Sequence, residues 1–192
     1  MANPEHVKLA SSGPEALDNW RENNPYVELD LEGADLSGVN LAGTKIRAAN
    51  LKGADLSGAR LSRANLAGAD LSGANLNEAD FGQAGMAGVN LTGASVVNAN
   101  LFWADLKGAV LKNAVLTSCR MNRVNLIGAD ISGTNFSQSN MIEADLRNTD
   151  MTNALFQSSN MNGADLSRAI MPGADFTLAM IRDSMWIATD AR

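Results

Sequence analysis

The sequence predicts an all-β solenoid in which the chain turns once every five residues, and two regularities support this. Every fifth residue from Leu31 to Ile181 is apolar, over 31 consecutive positions. The position two residues earlier is small, with alanine at 21 of the 30 sites from Ala34 to Ala179. A run this long without an insertion indicates one repeating unit, stacked on itself, and not a conventional globular core.

A period of five fits neither an amphipathic helix nor a flat strand. Five steps of about 100° spread side chains around a helix, and an odd period places successive strand side chains on opposite faces. Glycine, which holds the position two after the apolar residue in 14 units, supplies the positive φ of a type II turn. Like residues also recur twenty apart, as Phe136, Phe156 and Phe176 do. Four units per coil would stack them, with adjacent coils about 4.8 Å apart.

Asp or Asn precedes the apolar residue in 21 of 31 units, which completes the consensus Ala-(Asp/Asn)-Leu-x-Gly. This pattern resembles the pentapeptide-repeat family, and the helix with a tryptophan before Asp30–Leu36 is similar to that of many bacterial members. The resemblance implies a right-handed quadrilateral β-helix. In that fold the apolar and small residues point inward and the other three face solvent. Thirty-one units would form between seven and eight coils.

We expect three segments along the chain. Residues 1–28 form an N-terminal helical cap, residues 29–183 the β-helix and residues 184–192 a C-terminal tail. Asn3-Pro4-Glu5 and Ser12-Gly13-Pro14-Glu15 each read as a helix start, and Asn23-Asn24-Pro25 as a stop. Tyr26 and Leu29 are expected to begin the first coil. A polar-backed cap protects the unpaired edge of a terminal coil.

The composition argues against catalysis and metal binding. The 192 residues include one cysteine and one histidine, and His6 lies near a chain start that is expected to fray. Cys119 falls in the small inward position, so we expect a buried, unreactive thiol. The 13 carboxylates between Leu31 and Ile181 would line a smooth rod without a cleft. We therefore expect no enzyme, no cofactor and no metal.

The charge and the chain start limit the partners further. A net charge of −6 argues against direct nucleic-acid binding, which relies on a basic surface. The first residues lack the basic and then apolar pattern of a signal peptide, and no apolar run reaches the roughly 18 residues of a membrane span. These features predict a cytoplasmic protein that does not enter a membrane.

A period of twenty assigns the units to four faces. We call them the first, second, third and fourth face, centred on Leu31, Leu36, Leu41 and Ile46. The first two collect carboxylates in the outward position, whereas the third carries two arginine pairs with adjacent aromatic residues between them. This candidate interaction surface consists of Arg60, Arg63, Phe102, Trp103, Arg120 and Arg123. Exposed rings flanked by arginines are typical of a protein-binding site. The alternative is a surface cation–π pair, in which Trp103 lies flat under Arg123.

A second candidate surface is the C-terminal end of the rod. It is conspicuously apolar and contains no obvious polar lid; its members are Leu178, Met180, Met185, Trp186 and Ile187. We expect this end either to fold back over the last coil or to bury against a second copy. A homodimer is favoured, because family members resembling the quinolone-resistance class join C-terminus to C-terminus.

Two function classes follow. The first is a rigid, non-catalytic scaffold that binds an unidentified protein through one face of the β-helix. The second, implied by resemblance to the quinolone-resistance members of the family, is a DNA mimic that binds a type II topoisomerase such as gyrase. Mimicry needs dense negative charge, but the rod carries 13 acidic against 11 basic residues between Leu31 and Ile181. The scaffold is therefore ranked first.

Overall fold

The computed structural model describes residues 2–190 and consists of two helices followed by a solenoid. Helix α1 spans Pro4–Ser11 and helix α2 spans Pro14–Asn23. From Asp30 onward, the residue before each inward apolar one forms a parallel bridge with the residue twenty positions later. Four units therefore close each coil, as predicted, and residues 31–190 make eight coils. The bridges are isolated, since the chain turns again before a longer strand can form.

A unit with the consensus sequence, such as residues 55–59, pairs all five of its backbone N–H groups, which explains why a unit has five residues. Asp55 donates to the preceding coil, while Leu56 and Gly58 donate to the following coil, at 2.8–2.9 Å. Ala59 closes the turn by donating to the carbonyl of Leu56 at 3.0 Å. The fifth group, the N–H of Ser57, donates to the side-chain Oδ1 of Asp55 at 2.9 Å. No backbone donor of the unit is left to solvent.

The last of these bonds is the physical reason for Asp or Asn before the apolar residue. A carboxylate and an amide oxygen both accept from the N–H two residues on, forming an Asx turn. An Asn one coil later adds a second bond, as Asn75 Nδ2 does to Asp55 Oδ1 at 3.0 Å. Either residue therefore serves the turn, and the choice between them changes the surface charge and whether the side chain can donate to the preceding coil.

The inward positions form one continuous core. The apolar residues from Leu31 to Leu166 are almost completely buried, and Phe136, Phe156 and Phe176 stack as predicted, with ring centroids 5.2 and 4.9 Å apart. Hydroxyl residues replace alanine at some small positions because each finds a carbonyl: Thr44 Oγ1, for example, donates to Leu41 O at 2.7 Å. A buried hydroxyl with an acceptor costs little.

The helical cap is more firmly attached than the sequence indicated. His6 is not frayed: its Nδ1 accepts from the N–H of Asp30 at 3.0 Å, and its ring packs edge-on against Trp20. Asn3 caps α1 as predicted, but Gly13, with no side-chain bond, precedes α2. Tyr26, expected to begin the first coil, is 98% exposed, because the coil begins at Leu29.

The coils continue past the boundary expected at residue 183. Leu166 N donates to Met185 O at 2.8 Å, and Met171 N donates to Asp190 O at 2.7 Å. Ser184 and Trp186 keep the five-residue register, so residues 184–190 belong to the last coil and form no separate tail. Residues 191 and 192 of that expected tail lie outside the described residues.

The expected fold-back of the C-terminal end is limited to one side chain. Trp186 packs edge-on against Phe176 with ring centroids 5.3 Å apart, and its Nε1 donates to Ser184 Oγ at 2.7 Å. The other apolar residues of this end stay exposed; they are Leu178, Met180, Met185 and Ile187. The last coil is therefore largely uncovered within the described chain.

Candidate protein-binding face

The candidate surface of the third face begins with two neighbouring aromatic residues. Phe102 and Trp103 occupy the two central positions of one turn, so both side chains leave the rod. The centroids of their rings lie 6.2 Å apart, and the ring planes are tilted by 31°. Trp103 is 52% exposed, and Phe102 is less exposed than Trp103. A large apolar ring is thus presented to solvent in the middle of the rod.

The arginines one coil later cover these rings in part. The guanidinium of Arg120 lies 4.8 Å from the centroid of the Phe102 ring, and that of Arg123 lies 5.8 Å from the centroid of the Trp103 ring. The cation–π alternative predicted for Trp103 is therefore present, and a second pair accompanies it. Because Trp103 remains half exposed, this pairing orders the patch without hiding it.

The other arginine pair, Arg60 and Arg63, lies on the same face three coils earlier, about 14 Å away at about 4.8 Å per coil. Arg63 Nε donates to Gln83 Oε1 at 2.9 Å. Arg123 Nε, in turn, donates to Glu143 Oε2 at 2.7 Å. The structure thus keeps the two pairs on one face but not in contact. The structure adds Gln83 and Glu143 to the candidate surface, because they accept hydrogen bonds from Arg63 and Arg123. The charge and aromatic pattern of the sequence did not indicate these two residues.

These residues form a column in the turn position that favours glycine. Five consecutive members have φ between 56° and 60°, the left-handed region: Arg63, Gln83, Trp103, Arg123 and Glu143. On the first face the same position holds only glycine or asparagine through Gly173. A side chain with a Cβ costs roughly 1 kcal/mol in this conformation, most of all for a bulky ring. The third face therefore accepts strain where the first avoids it.

A shallow hollow of about 420 Å³ adjoins the rings on the same face. It exists because Gly82 stands where Phe102 stands one coil later, and a Cβ at Gly82 would meet Asn100 Nδ2 at 3.1 Å and Asp80 Oδ1 at 3.2 Å. The hollow lies between Arg63 and Phe102. The third face is therefore contoured, with a depression beside a protruding aromatic residue.

The family model for pentapeptide repeats matches the chain in eight copies, over residues 27–63, 64–101, 97–133, 119–157 and 159–184. The chain belongs to the pentapeptide-repeat family. Pentapeptide-repeat proteins form right-handed quadrilateral β-helices, which agrees with the four units per coil observed here. No curated protein matches the chain.

Solved structures of other pentapeptide-repeat proteins are similar to the chain. Full-length QnrB1, a plasmid-mediated fluoroquinolone resistance protein, is 16% identical with a TM-score of 0.60, and the match covers 79% of each chain. HetL from the cyanobacterium Nostoc sp. strain PCC 7120 is 23% identical with a TM-score of 0.28, covering 87% of this chain and 92% of HetL. At this identity the QnrB1 match shows the fold alone.

Two further residues of the third face depart from the pentapeptide consensus. Arg60 and Arg120 replace the Asp or Asn of the Asx turn, and arginine has no acceptor for the N–H two residues on. Each replacement forfeits a bond worth about 1 kcal/mol. All six residues of the candidate surface thus lie outside the core, and five of them replace a residue that the turn prefers.

Charge is also sorted by face in this pentapeptide-repeat protein. Between residues 30 and 179, the first face carries five carboxylates against two lysines, and the second carries four carboxylates and no basic residue. The third carries four arginines against two carboxylates, and the fourth five basic residues against three carboxylates. Since Asp and Asn serve the turn equally, the backbone does not impose this separation.

Other chemistry-bearing residues do not converge on a site. Cys119 is buried, its Sγ contacts Val96 O at 2.7 Å, and burial raises its pKa to about 12, which keeps the thiol protonated. Residues 2–190 contain no cluster of three metal-ligating side chains. Neither helix in that range is long and apolar enough to cross a membrane.

Proposed function

We propose that the protein is a non-catalytic scaffold that binds another protein through the third face. The observation that carries this proposal is the column of large side chains in left-handed turn positions. Strain and lost turn bonds persist where the residues serve a purpose other than folding. Three members of this column are Arg63, Trp103 and Arg123, and tryptophan and arginine are the types enriched at the centres of protein interfaces.

The geometry also favours ordered contacts. Arg120 and Arg123 are held against the Phe102 and Trp103 rings, so less rotamer entropy is lost when a partner binds them. A guanidinium has five N–H donors, so Arg120 and Arg123 keep N–H groups for a partner's carboxylate or carbonyl oxygens beyond the bond from Arg123 Nε to Glu143. The exposed half of Trp103 supplies apolar area beside them.

The direct test replaces both rings with small polar residues. Phe102→Ser with Trp103→Ser should abolish binding in a pull-down from the native cell, followed by an affinity measurement with the identified partner. The matched control, Val115→Ser with Ile170→Ser, removes exposed apolar residues from the second and first faces and should bind normally. Both variants should melt within a few degrees of wild type, since outward residues contribute little to the core. Equal binding by all three proteins would contradict the proposal.

A second test uses the repeat. Deleting the single unit of residues 90–94 keeps the core register but rotates everything before it by a quarter turn. Arg60 and Arg63 then leave the face of Arg120 and Arg123, whereas the contacts of the aromatic pair with Arg120 and Arg123 are unchanged. If the partner spans the whole face, binding should weaken in this folded variant. Arg63→Glu with Arg123→Glu should slow association and make it sensitive to salt.

The alternative, a DNA mimic that binds gyrase, is favoured by one observation: the adjoining first and second faces together carry nine carboxylates against two lysines between residues 30 and 179. A DNA supercoiling assay with gyrase tests it. Asp35→Asn with Asp55→Asn removes charge but keeps the Asx acceptors, so any loss of gyrase modulation would be electrostatic. The same variant should leave binding at the third face unchanged.

A further inference from the structure

A basic hollow lies where the helical cap meets the fourth face. Its volume is about 470 Å³, and its lining is Arg21, Pro25, Lys45, Arg47, Ala48 and Asn65. A neighbouring hollow of about 390 Å³ shares Arg21 and Arg47 and includes Glu28. The larger hollow thus brings together a cation from α2 and two cations from the first coil, with no carboxylate in its lining.

Arg21 has an unused hydrogen-bond donor at this place. Its Nη1 donates to Val27 O at 2.6 Å and to Asn24 O at 3.3 Å, and its guanidinium lies 5.0 Å from the centroid of the Trp20 ring. Its Nη2 is buried and finds no hydrogen-bond partner among residues 2–190. Burial also lowers the pKa of Arg21, which reflects the cost of desolvating a cation. A buried donor without an acceptor is unfavourable and rare in native proteins.

The repeat contains an internal comparison for Arg47. Arg147 occupies the same turn position on the same face, five coils later. There, Arg147 Nε donates to Asp145 Oδ1 at 2.8 Å, Nη2 donates to Asp145 Oδ2 at 2.6 Å, and Nε lies 3.7 Å from Asp165 Oδ2. At Arg147, this position is thus surrounded by carboxylates that neutralise the guanidinium.

Around Arg47 the carboxylates are replaced. The residue corresponding to Asp145 is Lys45, and the residue corresponding to Asp165 is Asn65. Arg47 is exposed and forms no ion pair within the described part of the chain. The first coil therefore repeats the arginine but omits the anions that accompany it elsewhere.

We propose that this hollow binds an oxyanion, a carboxylate or phosphate group, held by Arg21, Lys45 and Arg47. The ligand's oxygens neutralise Arg47 as Asp145 and Asp165 neutralise Arg147, and Arg21, which lines the same hollow, adds a further positive charge. Planar guanidinium groups suit bidentate contacts to both anions. Asp18 Oδ1 is engaged by the backbone N–H of Lys45 at 3.0 Å, and the carboxylate that competes for Lys45 Nζ is that of Glu22, 3.9 Å away, with both side chains more than half exposed. Such a contact is weak and exchanges readily.

The test is a titration of the ¹⁵N-labelled protein followed by NMR. Inorganic phosphate, acetate and the peptide tetraglutamate are added separately at constant ionic strength. The backbone signals of Arg47, Ala48 and Asn65 should move in a saturable manner with at least one probe. Phosphate acting alone identifies a phosphate ligand, whereas acetate or tetraglutamate identifies a carboxylate, free or in a peptide.

Matched variants separate this site from general anion screening. Arg47→Gln should weaken binding by about tenfold or more, as expected for loss of a charge-assisted contact. Arg147→Gln changes the same position on the same face and should leave binding unchanged. The absence of saturable shifts with all three probes, or equal weakening by the two variants, would overturn the proposal. Phe102→Ser with Trp103→Ser should also bind normally, because this site is independent of the third face.

Discussion

The two ends of the rod solve the same physical problem differently. At the N-terminal end, α1 and α2 cover the first coil, and Leu17 of α2 is only 1% exposed. At the C-terminal end no element follows the last coil among residues 2–190, and the inward residue Ile181 is 42% exposed. One end therefore completes the core, and the other leaves it open.

The hydrogen bonds show the same difference. The cap supplies partners to the first coil: His6 Nδ1 accepts from Asp30 N, and Asp18 Oδ1 accepts from Lys45 N, both at 3.0 Å. In interior units, the N–H of the inward apolar residue donates to the next coil, but no coil within residues 2–190 follows Ile181. A solenoid end needs apolar cover and hydrogen-bond partners together, and only the N-terminal end has both.

The largest expected effect comes from breaking the coil that connects the ends. Deleting Gly108 and Ala109 shifts every later leucine off the interior, so the protein should fail to fold. Deleting the whole coil of residues 94–113 removes twenty residues without touching either end, and a shorter folded rod should result. Circular dichroism melts compare the two. Similar melting curves would contradict the coil register.

Truncating an inward residue at each end should sharpen the contrast. Leu17→Ala in the cap should lower the free energy of unfolding by roughly 2–5 kcal/mol, because it leaves a cavity in a closed core. Ile181→Ala should cost about 1 kcal/mol or less, since much of its side chain already faces water. Urea denaturation measures both. Equal losses would mean that the C-terminal end is covered in solution.

Such cover could come from a second copy, and we predict a dimer through the C-terminal ends. The interface would be isologous, with each Trp186 meeting the partner's last coil. Trp186→Glu with Ile187→Glu places charges there and should convert the dimer to a monomer in sedimentation experiments. Monomeric wild-type protein would contradict the dimer and leave Trp186 as the only cover of this end among residues 2–190.

These two ends also mark how much the sequence predicts. The period of five predicts the coil and its inward residues, because each unit repeats the same local rule, and the helix start and stop signals predict the cap. No periodicity encodes how the helical cap docks on the first coil. Two features depend on that docking: the attachment of His6 and the hollow lined by Arg21, Lys45 and Arg47. The tail boundary at residue 183 was wrong because Ser184 and Trp186 depart from the consensus but keep its register.

The candidate surface shows a similar limit. Its aromatic and arginine residues could be found because charge and ring positions sort by face. The sequence could not show that Trp103 adopts φ 57°, a conformation that favours glycine. The coil imposes the left-handed turn on every unit, whichever residue stands there. The third face differs in that this position holds large side chains in five consecutive coils, whereas the second face also places small residues there, such as Ser118 and Ser158.

Turn residues at the two ends give a smaller effect. In the first coil the left-handed position holds Gly38 at φ 64°, whereas in the last coil on the same face it holds Leu178 at φ 60°. Leu178→Gly should raise the free energy of unfolding by about 0.5–1 kcal/mol through relief of strain, and Gly38→Ala should lower it by about 1 kcal/mol. Denaturant melts measure both changes. A loss of stability in Leu178→Gly would show that its side chain is packed in solution.

The smallest expected effect is acid sensitivity, which should be shared by the ends. Hydrogen bonds from the Ser37 side chain and backbone lower the pKa of Asp35, and bonds from Thr177 and Gln157 lower that of Asp175, on the same face of the last coil. A carboxyl with a lowered folded pKa stabilises the protein above its unfolded pKa of about 4, and this contribution is lost as the pH falls below that value. Asp35→Asn and Asp175→Asn should each flatten the fall in melting temperature below about pH 4, while keeping the Asx acceptor.

Because the C-terminal coil is open, Asp175→Asn should act chiefly on local unfolding, seen as faster hydrogen exchange at Met180 than at Leu41. An equal exchange response at both positions would indicate that the two ends unfold together with the whole rod.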